Sequence, residues 1–145
     1  MALVLDASVT CTWLFAEEAT AATDQIARDM ADAGAFVPPL WSVEVTNVLL
    51  QAVKKKRITE QQLTAAIALL RRLNVMVSPY TSDPARLAEL GVRHGLTAYD
   101  ALYLDHALAL NADLASLDQD LRAAAVTDGL SVRPAGGPLL PDSNP

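Results

Sequence analysis

The chain reads as an α/β protein built on a short parallel sheet, and three observations carry that reading. Ala2 to Leu5 is an apolar run without polar alternation, as suits a strand buried on both faces. Four further candidate strands, Phe36-Val37, Val75-Met76-Val77, Leu114-Ala115 and Leu130-Ser131-Val132, are equally short. The segments between them are longer and dominated by Ala and Leu, both strong helix formers. Short strands alternating with helices build parallel sheets by helical crossovers.

The elements can be justified in order. Ala2–Leu5 is expected mid-sheet, and Gly34 marks the stop of a helix before the Phe36-Val37 strand. Pro38-Pro39 ends what precedes it and launches a helix from about Trp41 to Lys56. Thr59 with Gln62 makes a capping box that opens a helix to about Leu73, and Asp83 before Pro84 is an N-cap followed by proline at the first helical position. Thr97 with Asp100 is a second box, and Gly129 a second helix stop. Residues 1–133 form the expected domain. Residues 134–145 are too rich in Pro and Gly to pack regularly and read as a mobile tail.

Size and charge bound the function. At 145 residues the chain is about one domain long. With 52% hydrophobic and 19% charged residues it can bury a core, which excludes disorder. The net charge of −6 gives no general attraction to nucleic acid or anionic membrane, so any such contact has to be local. One cysteine excludes an internal disulfide, and two histidines with it cannot build a Cys/His zinc site. The start meets Asp6 after four apolar residues and has no basic n-region, and no apolar run approaches the ~20 residues of a membrane span. A cytoplasmic location is the expectation.

Candidate chemistry lies with four carboxylates. Asp6 falls at the carboxyl end of the first strand, the edge at which open parallel sheets bind ligands; a cap of the following helix by Asp6 or Ser8 explains it equally well. Glu44 is read in the first turn of the Trp41 helix, three residues before Asn47 on the same face, where it would also suit the helix dipole. Asp100 shares a face with Tyr103, Leu104 and Ala107, and a carboxylate on an apolar face needs compensation. Asp118 follows a candidate strand and starts a helix, so capping is again the alternative. Asp105 and Asp120 read as solvated surface groups. Capping does not explain why all four acids fall at one sheet edge. Clustered carboxylates repel unless a hard cation neutralises them, and oxygen-only ligation suits Mg²⁺ or Mn²⁺ and metal-assisted phosphoryl transfer.

Four stretches together resemble the successive motifs of PIN-domain ribonucleases, and most of all the VapC-type toxins of toxin–antitoxin pairs. They are Val4-Leu5-Asp6-Ala7-Ser8-Val9, Pro39 to Leu49 around Glu44 and Asn47, Leu96 to Leu104 around Asp100, and Ala115-Ser116-Leu117-Asp118. The match is collinear over nearly the whole chain before the tail. The resemblance implies a three-layer α/β/α sandwich and a Mg²⁺- or Mn²⁺-dependent endoribonuclease, active as a homodimer, that hydrolyses RNA phosphodiester bonds with a metal-activated water. It makes Asp6, Glu44, Asp100 and Asp118 the acidic quartet, with Asp6, Asp100 and Asp118 as metal ligands and Ser8, Asn47 and Ser116 in support. Ser116 stands where threonine is common and keeps the hydroxyl. An antitoxin partner whose tail wraps the toxin is also implied.

Other readings fit less well. Walker A, G-x-S-x-G and G-x-G-x-x-G motifs are absent. A Mg²⁺-binding, phosphate-handling signalling module also clusters carboxylates at strand ends, but it needs a lysine on a late strand and no lysine follows Lys56. A catalytically silent PIN-like binding domain has no need of an intact quartet. Lys54-Lys55-Lys56 and Arg57 suit the helix dipole better than a phosphate track. Trp13 and Phe15 divide between core and the floor of a partner groove.

Overall fold

The computed structural model describes residues 2–136. Five strands, β1 (Leu3–Leu5), β2 (Ala35–Val37), β3 (Val75–Val77), β4 (Asp113–Ala115) and β5 (Val132–Arg133), form one parallel sheet in the order β3-β2-β1-β4-β5. Seven α-helices lie among the described residues: α1 (Ala7–Leu14), α2 (Ala21–Ala33), α3 (Leu40–Lys54), α4 (Glu60–Arg72), α5 (Pro84–His94), α6 (Ala98–Leu110) and α7 (Gln119–Thr127). A 3₁₀ turn, Ala16–Glu18, joins α1 to α2.

The chain steps from β1 outward to β2 and β3, then crosses back to β4 and on to β5. Right-handed crossovers therefore put α1 to α4 on one face of the sheet and α5 to α7 on the other. Helix contacts divide the same way, α1 with α2 and α3 and α3 with α4, against α5 with α6 and α6 with α7. This is the three-layer α/β/α arrangement. Chain travel reverses between β1 and β4, and a crevice opens at such a switch point beyond the carboxyl ends of the strands.

Burial follows position. In β1 all three residues are buried, and Val4 and Leu5 are fully so, whereas Met76 and Val77 on edge strand β3 are about 60% exposed. Val9 of α1, Val45 of α3, Leu104 of α6 and Leu121 of α7 close on the two faces with no exposed surface. Helix α6 is apolar almost all round, as suits a helix enclosed by β1, β4, α5 and α7.

Local signals behave as read, with some corrections. Thr59 and Gln62 make both bonds of their box, and Asp83 accepts from the Ala85 N–H. Thr97 and Asp100 make the first bond alone, Asp100 N–H to Thr97 Oγ1 at 3.2 Å. An unread box, Thr20 with Thr23, opens α2. Helix α3 ends at Lys54, two residues short of Lys56, which takes a left-handed φ of 59°. Strand β5 is shifted from Leu130-Ser131-Val132 to Val132–Arg133, because Gly129 (φ 89°) turns the chain so that Leu130 N–H bonds back to Ala125 O and closes α7. Of the expected tail, residues 137–145 lie outside the described residues, while Pro134 is buried.

Candidate active site

Asp6 is the first residue past β1, and its N–H still donates to Ala115 O at the end of β4 (2.9 Å). It stands at the N-cap of α1, yet its carboxylate makes no cap bond. Instead Ser8 Oγ and Ser116 Oγ both donate to Asp6 Oδ2, each at 2.7 Å. The same hydroxyls accept from the chain opposite: Leu117 N–H reaches Ser8 Oγ and Asp118 N–H reaches Ser116 Oγ, both at 3.0 Å. The capping alternative for Asp6 and Ser8 therefore fails. Both side chains stitch the switch point between β1 and β4.

Glu44 lies in the second turn of α3, not the first, so the helix dipole does not account for it. It is half-buried, and its Oε1 accepts the Tyr103 hydroxyl at 2.5 Å across the crevice from α6. Tyr103 is the residue that sequence reasoning missed. It reads as one more apolar neighbour of Asp100, and the only signal was a hydroxyl on a buried position, which normally finds a partner. Asn47 is exposed.

Asp100 is half-buried in the first turn of α6. Asp118 caps α7, its Oδ1 accepting the Leu121 N–H at 2.9 Å, so the capping alternative holds for this residue. Capping does not remove Asp118 from the pocket, because its charge is felt at Asp100. Burial first, then the charges of Asp118 and Asp6, push Asp100 up to about 6. Burial also raises Asp6 against its two hydroxyl donors, with Glu44 adding repulsion; burial raises Glu44 against the Tyr103 bond, with Asp100 adding repulsion. The four acids thus form one chain of repulsions. Asp120, exposed, adds to the last link.

Among the described residues none of the four carboxylates has a Lys, Arg or His within ion-pair reach. Nor are three Asp, Glu, His or Cys side chains gathered closely enough there to hold a metal ion as they stand. The fold brings the acids within range of one another's charge and stops short of coordination distance. An oxygen-only, uncompensated set of this kind is chemically matched to a hard divalent cation, which would offset both the repulsion and the burial.

Two expectations elsewhere resolve differently. Asp105 is not a solvated surface group: it is 2% exposed, because α5 packs over that side of α6 and sets Arg86 Nε 3.5 Å from Asp105 Oδ1. Phe15 is core, with the Arg57 guanidinium 4.1 Å from its ring centre, while Trp13 stays partly exposed and donates to Thr23 O at 3.0 Å. Both border an open cleft of the α1, α3 and α4 side of the molecule, together with Ile58 and Leu69.

Comparison with known proteins identifies the family and the fold. The family model described as the PIN domain matches residues 3–126. Ribonuclease VapC1 of Mycobacterium tuberculosis, from strains CDC 1551 / Oshkosh and ATCC 25618 / H37Rv, is 39% identical over 89 residues, which are 60% of this chain and 65% of the relative. The aligned stretch thus spans just under two thirds of the length of these curated relatives. Among solved structures, PAE2754 from Pyrobaculum aerophilum superposes with a TM-score of 0.67 at 22% identity, over 91% of this chain and 90% of that one. VapBC2 from Rickettsia felis, bound to a DNA fragment from their promoter, gives 0.65 at 17% identity over 92% and 98%. At these identities the structural likeness speaks to the fold.

Proposed function

The chain belongs to the PIN-domain family, and from that premise we propose that it is a divalent-metal-dependent endoribonuclease acting as the toxin of a VapC-type toxin–antitoxin pair. The observation that carries the reading is the run of uncompensated acids, Asp6, Glu44, Asp100 and Asp118, at the β1/β4 switch point. The name of the curated relatives, Ribonuclease VapC1, supports the substrate class.

In this reading Asp6, Asp100 and Asp118 hold Mg²⁺ or Mn²⁺. When bound, such an ion lowers the pKa of an attacking water and stabilises charge on a phosphodiester oxygen. The chain's own part is positional. Ser8 and Ser116 converge on one oxygen of Asp6 and fix the plane of that carboxylate. Asp118 is fixed through its cap of α7 and the bond from its N–H to Ser116 Oγ. Glu44, held by Tyr103 and raised by burial, is the carboxylate placed to take up a proton at its Oε atoms. Asn47, exposed on the same helix, is left to meet the substrate.

The partners follow from the same premise: RNA as substrate, a cognate antitoxin, and a second copy of the chain in a homodimer. No helix among the described residues is long and apolar enough to cross a membrane, and a cytoplasmic location belongs to the proposal. The deciding experiment is cleavage of single-stranded and hairpin RNA with Mg²⁺, with Mn²⁺ and with EDTA. Cleavage only in the presence of a divalent ion is expected; undiminished cleavage in EDTA overturns the metal role, and no cleavage under any condition overturns the ribonuclease.

A further inference from the structure

A guanidinium carries a full charge and five N–H donors, and it is buried only where those donors find acceptors. Arg122, at the end of the first turn of α7, is 5% exposed and has no carboxylate partner among the described residues. Its donors go to three backbone carbonyls. One Nη donates to Ser116 O at 2.9 Å; the other donates to Pro134 O at 2.8 Å and Gly136 O at 3.1 Å. Burial alone shifts its pKa, downward, so the acidic pocket is not what holds the charge there.

Ser116 is the meeting point. It has no exposed surface, and each of its polar groups is engaged: N–H to Arg133 O at 3.1 Å, C=O to Arg122, and Oγ to both Asp6 and the Asp118 N–H. A displacement of the Ser116 backbone therefore moves the donor of Asp6 and the anchor of Asp118 together.

We propose that Arg122 is a positioning residue that ties the segment after β5, through Ser116, to the Asp6–Asp118 pocket, so that movement of Pro134–Gly136 is transmitted to the acids. Its consequence for cleavage rests on the ribonuclease reading; the mechanical tie does not. Gly136 lies beside α7 and the segment Pro134–Gly136 contributes no acid of its own, which makes the coupling a route by which whatever engages that segment alters the acids.

The test is amide hydrogen exchange by NMR on the full-length, metal-free protein, for the wild type and for Arg122→Met, Arg122→Lys and Gly136→Val. At Gly136 (φ 105°) an added Cβ meets nothing within 4 Å among the described residues, so a β-branched residue there acts first by disfavouring that backbone conformation. In Arg122→Met the Ser116 and Asp118 amides are expected to exchange about tenfold faster or more, beyond any change at Ser78 on the far edge of the sheet. Gly136→Val is expected to act in the same direction by a smaller factor, and Arg122→Lys to recover part of the protection. Equal changes at Asp118 and Ser78 overturn the proposal, and if Arg122→Met does not fold, Gly136→Val decides by the same criterion. RNA cleavage is measured in parallel: kcat is expected to fall in Gly136→Val with KM unchanged. An unchanged kcat in an active protein overturns the transmission to the acids, whereas an inactive wild type overturns the ribonuclease reading and leaves the exchange result standing.

Discussion

At the amino end of β4, Asp113 is buried and held by Arg133, whose Nε and one Nη lie 3.0 and 2.8 Å from its Oδ2. Beyond the carboxyl end of the same strand, Asp118 and Asp6 lie near enough to Asp100 for their charges to raise it. Both ends bury negative charge; among the described residues only one is met by an opposite charge. A carboxylate matched by its own arginine is a compensated charge, and the cost falls on whichever partner is left unpaired when the other is removed. A set raised by burial and by mutual repulsion lowers the stability of the metal-free fold near neutral pH, and its retention has to be sought in what it binds.

The sharpest way to break this comparison is to neutralise one acid at each end. Asp6→Asn is expected to lower RNA cleavage by about a hundredfold or more while leaving the metal-free melting temperature unchanged or raised. Asp113→Asn should do the reverse, costing about 2 kcal/mol of stability through the loss of the charged acceptor of Arg133, with cleavage retained. Cleavage rates and urea melts of the two variants are the measurement, and equal losses of activity would erase the distinction between the ends.

Metal addition sharpens the difference. In the wild type, Mn²⁺ at a hundred times its dissociation constant adds about 2.7 kcal/mol to folding, and most of that gain should vanish in Asp100→Asn. Without metal the pH dependence has a definite sign. Asp100 holds its proton up to about 6 in the folded chain against 3.8 for the ordinary group, so its stabilising contribution is complete below 3.8 and is lost as pH rises through 6. Thermal melts in EDTA across this window should show the wild type losing stability that Asp100→Asn keeps. A matching slope in the variant would locate the titration elsewhere.

A smaller effect is expected at Tyr103→Phe. Removing the hydroxyl leaves Glu44 Oε1 without its donor and, because that bond lowers Glu44, raises its pKa further. Cleavage should fall by up to about tenfold, and the acid limb of the pH–rate profile should move to higher pH. A profile that does not move would reduce the Tyr103 bond to packing.

What the sequence by itself determined lies within single elements. The buried character of β1, the Thr59–Gln62 box, the Asp83-Pro84 start of α5 and the placement of Asp6 and Asp118 past strand ends are all legible, because strand burial, capping and turn chemistry act over a few residues. Even there, tertiary packing altered the outcome: Asp105 lost its solvent to α5, and β5 began two residues late because Leu130 was drawn into the end of α7. Only the tertiary structure decided how the acids are held. Tyr103 meets Glu44 across 59 positions, Ser116 meets Asp6 across 110, and Arg122 reaches Ser116 and Gly136 on opposite sides of itself in the chain. Such contacts are set by the order in which helical crossovers lay the strands side by side, and no local periodicity encodes that order. The sequence located the acids one element at a time, and the reversal of chain travel between β1 and β4 brought them into a single electrostatic field.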